Sequence, residues 1–134
     1  MHDEKVHGLI EATIHDVRMV IAPDSSSNDY EVHKDLKEKG IDVLVIDHHN
    51  AEMVSPYACV INNQLDNYPT KSLSGVGMVF KFCSYIDRLM ETNYADDFRD
   101  LTALGLIADM MDTKAFETHH LIVTGLENIK SPLF

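Results

Sequence analysis

Positive charge is scarce in this chain of 134 residues, which has 11 lysines and arginines against 22 aspartates and glutamates. The resulting formal net charge of −11 argues against a large basic surface for nucleic acid. It does not exclude a metal-dependent phosphoester site, because carboxylates bind the cations that in turn bind phosphate. An acidic surface that serves only solubility is the simpler alternative.

Cysteine is also rare, and long apolar runs are missing. Cys59 and Cys83 show no CxxC pair or other metal-binding spacing. Both have apolar neighbours, so we expect buried free thiols in a reducing cytosol. No apolar run is long enough to span a bilayer, and the polar first residues are unlike a signal peptide. We therefore expect a cytoplasmic protein.

The pattern of apolar residues predicts alternating strands and helices. Hydrophobic residues make up 45% of the chain, which suits one globular domain with a core. The alternation predicts an α/β fold, a parallel sheet with crossover helices. The predicted strands are residues 17–24, 41–46 and 58–63, and the predicted helices are residues 4–15, 29–39, 74–90, 95–109 and 116–129.

Polar residues follow two neighbouring strands at the point where each predicted strand ends. Asp24 follows the first strand, and Asp47, His48 and His49 follow the second, in the stretch VIDHHN. Asp109 ends an otherwise apolar helix, where a charge is costly unless it is paired or bound to metal. Ligands of parallel sheets collect beyond the carboxyl ends of the strands. Mixed carboxylates and imidazoles there predict a site for Mn, Fe, Co or Zn rather than Ca or Mg.

Adjacent histidines at a strand end point in different directions, so we expect two roles for them. One of the pair would bind metal, and the other would face a substrate phosphate or donate a proton. Asp47 would hold a ligand histidine in position. Taken singly, Asp24 is a cap or turn residue, the histidine pair is a surface feature, and Asp109 is a solvated helix end. Their combination favours the metal site.

The stretch LSGVG, residues 73–77, is a weaker signal. Glycines at a helix start allow an anion to approach free backbone N–H groups. An N-capping serine followed by packing glycines explains the stretch equally well. Asp112 near Asp109 is a weak site candidate and more consistent with a cap. We expect Met110 and Met111 in the core. The histidines expected at the surface are His2, His7, His15, His33, His119 and His120.

Four stretches in this order resemble the motifs of the DHH phosphoesterase superfamily. Within it, the chain is most similar to the RecJ-type single-strand-specific exonucleases and their shorter phage-type relatives. IAPDSSSND resembles the second motif and VIDHHN the third, name-giving motif. KSLSGVGMVFKF resembles the RecJ-type stretch that opens a helix beside the site, and ALGLIADMMD resembles the fourth motif. The resemblance runs along nearly the whole chain.

This resemblance implies a site for two Mn²⁺ or Mg²⁺ ions, at which a metal-bound water attacks a phosphodiester of single-stranded DNA in line. Digestion from the 5′ end is also implied. The implied metal ligands are Asp24, His48 and Asp109. The implied catalytic residues are His49, at the scissile phosphate, and Asp47, which supports the histidine pair. The implied substrate contacts are Ser74, Gly75 and Gly77.

One motif of the family has no match. The family opens with a strand that ends in Asp-x-Asp and supplies further ligands, and it carries a second, DHH-associated domain. Neither is found in residues 1–134, so we expect a partial DHH domain. The alternatives are a phosphodiesterase or pyrophosphatase for small phosphoesters, such as cyclic dinucleotides or short oligonucleotides, and an inactive fragment that binds one metal weakly or serves as an interaction partner.

Overall fold

The computed structural model describes residues 16–65 and 67–132, so the helix predicted at residues 4–15 lies outside its scope. Within that part, no helix is both long and apolar enough to cross a membrane. Every strand and helix predicted there is confirmed, with small differences at the ends. The strands are β1 (Met19–Pro23), β2 (Asp42–Asp47) and β3 (Cys59–Asn62); the helices are α1 (Tyr30–Glu38), α2 (Gly75–Met90), α3 (Arg99–Ala108) and α4 (Phe116–Glu127), and a 3₁₀ turn (Ala95–Phe98) leads into α3.

The three strands form a parallel sheet in the order β1-β2-β3, which confirms the predicted α/β class. Helix α1 makes the crossover between β1 and β2, whereas residues 48–58 join β2 to β3 without a helix. In the ladder, Pro23 pairs with Ile46, and Asp47 pairs with Asn62. The residues that follow β1 and β2 therefore meet at one edge of the sheet.

Strand β2 lies at the centre of the fold and is covered on both faces. Successive side chains of a strand point to opposite faces, so β2 contributes to two cores. Val43 and Val45 pack with Leu36 of α1 on one face. On the other face, Ile46 packs against residues of α2, α3 and α4 and the segment before α2, including Leu73, Met78, Phe80, Leu106 and Leu121. This double burial fixes the end of β2, where the candidate site begins.

The predicted burial of both cysteines and of Met110 is wrong. Cys59 and Cys83 are both exposed. Apolar residues extend around much of α2, so their spacing did not identify its buried face, which carries Met78 rather than Cys83. Met110 is 88% exposed because it occupies a left-handed turn just beyond the end of α3. Met111 is partly buried against the core, as expected.

Candidate metal centre

Asp24 is brought to the site by a turn directly after β1. Its backbone N–H donates to the Ile46 carbonyl at 2.8 Å, which continues the pairing of β1 with β2 by one residue. Its φ of +57° is left-handed, a conformation that aspartate tolerates better than most residues. The Asp24 Oδ1 atom lies 3.2 Å from His48 Nε2. The first two predicted ligands are therefore neighbours.

Asp109 approaches the same nitrogen from a distant part of the chain. It caps α3, and the N–H groups of Met110 and Met111 donate back to Ile107 and Leu106 at 3.0 and 3.1 Å. This is a Schellman-type ending with methionine at the left-handed position. Asp109 Oδ2 lies 3.4 Å from His48 Nε2. A carboxylate at the negative end of a helix dipole is unfavourable, and a bound cation would relieve that cost.

Asp47 is fully buried, and hydrogen bonds engage both of its oxygens. Oδ1 accepts from the His48 and His49 N–H groups at 2.8 and 3.4 Å and lies 2.7 Å from His49 Nδ1, while Oδ2 accepts from the Ser27 N–H at 3.2 Å. Burial by itself raises the pKa of Asp47, but the hydrogen bonds from Ser27, from the His49 side chain and from the two amides outweigh it and lower this pKa to about 2. Asp47 is thus an ionised acceptor that orients its neighbours.

The two histidines have different surroundings. The His48 side chain is 12% exposed and lies between two carboxylates, whereas that of His49 is 59% exposed. The contact between His49 Nδ1 and Asp47 fixes the tautomer with a proton on Nδ1 and leaves Nε2 for other partners. The hydrogen bond to Asp47 raises the pKa of His49 despite partial burial. The raised pKa favours the cationic form of His49, which would suit an anionic group beside the metal ligands.

The donor atoms fit a divalent transition metal. Ligand atoms of Asp24, Asp47, His48 and His49 all lie within 4.8 Å of one another, and Asp109 joins them through His48. Because hydrogen bonds occupy Asp47, the residues best able to hold an ion are Asp24, His48 and Asp109. Carboxylates combined with imidazole are the donor set expected for Mn, Fe, Co or Zn.

Gly75, the first residue of α2, makes room for the Asp24 side chain. A Cβ atom at Gly75 would overlap the Asp24 carboxyl group. The carboxylate therefore occupies the close approach that the glycine permits, next to the positive end of the α2 dipole. A Cβ at Gly77 would lie 3.1 Å from Leu106 Cδ2, so Gly77 lies in the packing contact between α2 and α3. Ser74 occupies the N-cap position but makes no capping bond, and its buried hydroxyl has no partner among the described residues.

Buried polar residues beneath the site were missed from sequence. Asn62, at the end of β3, donates to Ser27 Oγ at 2.8 Å and to the His49 carbonyl at 2.9 Å. Applying the strand-end rule to the third strand would have found it. His33 was expected at the surface, and that prediction is wrong, since the residue is 1% exposed. Its spacing of three residues from Leu36 in α1 was the available signal.

His33 joins two loops of the site. Its Nδ1 lies 3.0 Å from Ser55 Oγ, in the connection between β2 and β3, and its Nε2 lies 3.4 Å from Ser26 Oγ. Ser26 has a left-handed φ of +81° and also donates to Asp29 Oδ2 at 2.8 Å. These side chains hold a strained turn that begins at Asp24.

We expect His33→Leu to lower the free energy of unfolding by about 1–3 kcal/mol, because the buried Ser55 hydroxyl and the partly buried Ser26 hydroxyl each lose a partner. Urea denaturation followed by circular dichroism measures this. His119→Leu is the matched control, since His119 is exposed and should change stability by less than about 0.5 kcal/mol. Equal stability of the two variants would contradict the role of His33 in holding the loops.

The lowered pKa of Asp47 predicts acid sensitivity of the metal-free protein. Ionised Asp47 stabilises the fold above its ordinary pKa of 3.8, and this contribution is lost as the pH falls toward about 2. The contribution is roughly 2 kcal/mol. In chelator, the stability difference between wild type and Asp47→Asn should shrink between pH 6 and pH 2.5. Asp35→Asn, at an exposed position, is the control variant, and a constant difference for Asp47→Asn would contradict the prediction.

The amino-acid sequence matches a known protein family and several named proteins. The sequence model of the DHH family, N-terminal domain, matches residues 2–106. An SPbeta prophage-derived protein of Bacillus subtilis (strain 168), named single-strand DNA-specific exonuclease YorK, is 45% identical over 135 residues, which cover 99% of this chain and 23% of that protein. The single-stranded-DNA-specific exonuclease RecJ of Haemophilus influenzae is 37% identical over 108 residues, covering 71% of this chain and 19% of RecJ. The chain thus spans less than a quarter of the length of these relatives.

Solved structures show the same fold. An exonuclease RecJ bound to manganese matches with a TM-score of 0.75 and 23% identity, over 84% of this chain and 29% of that chain. RecJ of Thermus thermophilus in complex with Mn²⁺ matches with a TM-score of 0.69 and 22% identity, over 82% of this chain and 17% of that chain. The parallel sheet and its helices are therefore those of the RecJ fold.

Proposed function

This chain belongs to the DHH family, and on that basis we propose that it supplies the metal centre of a RecJ-like hydrolase that cleaves phosphodiester bonds of single-stranded DNA. One observation carries the proposal. The His48 Nε2 atom lies 3.2 and 3.4 Å from carboxylate oxygens of two other elements, Asp24 after β1 and Asp109 after α3. The names of the similar proteins support single-stranded DNA as the substrate.

Mn²⁺ is the proposed metal. The donor set suits it, and two structures of the same fold are described as manganese complexes. Asp24, His48 and Asp109 would hold an ion, and a bound ion would lower the pKa of a water molecule and neutralise charge on the phosphate. A second ion and digestion from the 5′ end follow from the family resemblance and belong to the same proposal.

His49 is the proposed contact to the scissile phosphate. Asp47 fixes its Nδ1 proton and raises its pKa, so its exposed Nε2 can donate to a phosphate oxygen. Asp47 acts through His49 and the amides it accepts from. Substrate contact by Ser74, Gly75 and Gly77 also stays a proposal. All three residues are buried, and Gly75 has a second role open to it, since it makes room for the Asp24 side chain.

Hydrolysis of matched substrates tests the function. We expect Mn²⁺-dependent cleavage of a single-stranded oligonucleotide by the chain, little cleavage of the same sequence as a duplex, and loss of activity on chelation. Labels at the 5′ or 3′ end in separate reactions report the polarity of digestion. Failure to cleave any phosphoester by a folded protein that binds Mn²⁺ would overturn the proposal in favour of a non-enzymatic domain.

A small phosphoester is the second candidate substrate. The net charge of −11 favours it, because a short substrate needs less basic surface than a DNA strand. A cyclic dinucleotide, a linear dinucleotide and pyrophosphate are therefore included in the same assay. A higher kcat/KM for any of them than for the oligonucleotide would assign the small phosphoester.

A further inference from the structure

A groove lined by both polar and apolar groups adjoins the metal centre. Its volume is about 580 Å³, within the range of pockets that hold small ligands. His48 and His49 line it, which makes it continuous with the candidate site. Residues 69–72, in the segment before α2, also line it, together with Asn50, Gln64, Met111, Asp112 and Ala115. We call this space the Lys71 groove.

Hydrogen bonds from neighbouring turns hold the segment that lines the Lys71 groove. Asn63 Nδ2 donates to the Thr70 carbonyl at 3.0 Å, and Gln64 Nε2 donates to the Lys71 carbonyl at 2.8 Å. The Asp112 N–H donates to Ser72 Oγ at 2.6 Å. These three hydrogen bonds hold residues 70–72 in place in the absence of a ligand. Such ordering lowers the entropic cost of binding.

The lining has the chemistry of a backbone-binding surface. Its polar groups are amides, hydroxyls, the two histidines and one carboxylate, Asp112, and Lys71 is the single lysine or arginine among the described lining residues. That lining contains no phenylalanine, tyrosine or tryptophan on which a base could stack. Lys71 is exposed, and its ammonium group donates to the Asn63 carbonyl, which anchors the positive charge at the groove. Such groups recognise phosphate and sugar rather than bases.

We propose that the Lys71 groove binds the sugar–phosphate backbone of the nucleotide next to the scissile bond, with Lys71 paired to its phosphate. The inference rests on the proposed function, because it needs a phosphodiester at the metal centre. A phosphate contact through Lys71 explains how an acidic chain can bind a nucleic acid strand. The positive charge of Lys71 lies beside the carboxylates of the metal centre, which repel the phosphates of the strand. The contact is independent of base sequence.

Binding of a fluorescein-labelled oligothymidylate in Mn²⁺, followed by anisotropy over a series of salt concentrations, tests the groove. Lys71→Gln removes the charge but keeps a donor for the Asn63 carbonyl, and Lys71→Arg keeps the charge. We expect Lys71→Gln to weaken binding about tenfold and to reduce the slope of log K against log salt by about 1. Lys71→Arg should bind within about twofold of wild type.

Lys39→Gln is the matched control. It removes the same charge from an exposed residue just before β2 begins, at the opposite end of the sheet from the site. Wild-type affinity and salt slope in Lys71→Gln would overturn the proposal. A loss of affinity with an unchanged slope would overturn it as well, because it would show that Lys71 only braces the Asn63 carbonyl.

Binding and hydrolysis separate the two proposals. Mn²⁺ affinity should be equal in wild type and Lys71→Gln, since Lys71 is not a metal ligand. If the oligonucleotide is bound through Lys71 but not cleaved, the groove is supported and the proposed hydrolase function fails. If the oligonucleotide is cleaved and Lys71→Gln matches Lys39→Gln in affinity and slope, the function is supported and the groove fails.

Discussion

His48→Ala is expected to lower the rate of Mn²⁺-dependent hydrolysis on the order of 10³-fold. The reason is geometric, since His48 Nε2 is the atom on which Asp24 Oδ1 and Asp109 Oδ2 converge, at 3.2 and 3.4 Å. Alanine at position 48 removes the imidazole nitrogen that lies between the two carboxylates. Initial rates over a Mn²⁺ titration measure the effect, and we expect both the maximal rate and the apparent Mn²⁺ affinity to fall.

His119→Ala is the control for this loss. His119 is also a histidine and lies exposed on α4. Its rate and its Mn²⁺ affinity should equal those of wild type. Thermal denaturation in chelator checks that both variants fold. A His48→Ala protein that keeps wild-type Mn²⁺ affinity would remove His48 from the ligand set and leave Asp24 and Asp109 as the candidate ligands.

Gly75→Ala is expected to lower Mn²⁺ affinity by at least about 10–100-fold, the range seen when the support of a ligand is lost. The added methyl group would occupy the space of the Asp24 carboxyl group, so this side chain must leave His48. The helix itself tolerates alanine better than glycine. Metal binding should therefore fail while α2 remains folded, and isothermal titration with circular dichroism shows both.

A double variant sharpens this test. In an Asp24→Ala background, the methyl group no longer meets a carboxylate, so Gly75→Ala should cause no further loss of metal affinity. It should instead leave stability unchanged or raise it by up to about 1 kcal/mol. Gly77→Ala serves as the second control, because its methyl group would contact Leu73 and Leu106 rather than a ligand. Equal Mn²⁺ affinity in Gly75→Ala and Gly77→Ala would contradict the role of Gly75.

Two of the three candidate ligands could be predicted from sequence by one rule. Apolar runs mark the strands, parallel strands end at the same edge, and Asp24 and His48 each lie just beyond such a run. Asp109 needed a second argument, the cost of a charge at the end of an apolar helix. No side-chain contact is needed for either step. The distances, the lowered pKa of Asp47 and the engagement of its oxygens depend on the backbone amides of Ser27, His48 and His49, which a sequence pattern does not specify.

Burial within α1 and α2 was harder to predict. His33 is buried and contacts Ser55, which belongs to a connection with no helical or strand period. The spacing of residues in α1 was therefore not enough to predict that His33 is buried. In α2, apolar residues occur on more than one face, so Cys83 fitted the pattern and yet lies in solvent. Both errors concern which face a neighbour covers, a property of tertiary packing rather than of local sequence.

The parallel ladder also limits how the chain can change in length during evolution. Pairing of Pro23 with Ile46 and of Asp47 with Asn62 aligns the strand ends. One residue inserted into β2 would turn Asp47 to the opposite face of the sheet and separate it from Ser27. An insertion in the later part of residues 48–58 leaves that alignment intact. Homologous chains should therefore differ in length in their connections, while their strands keep a constant residue count.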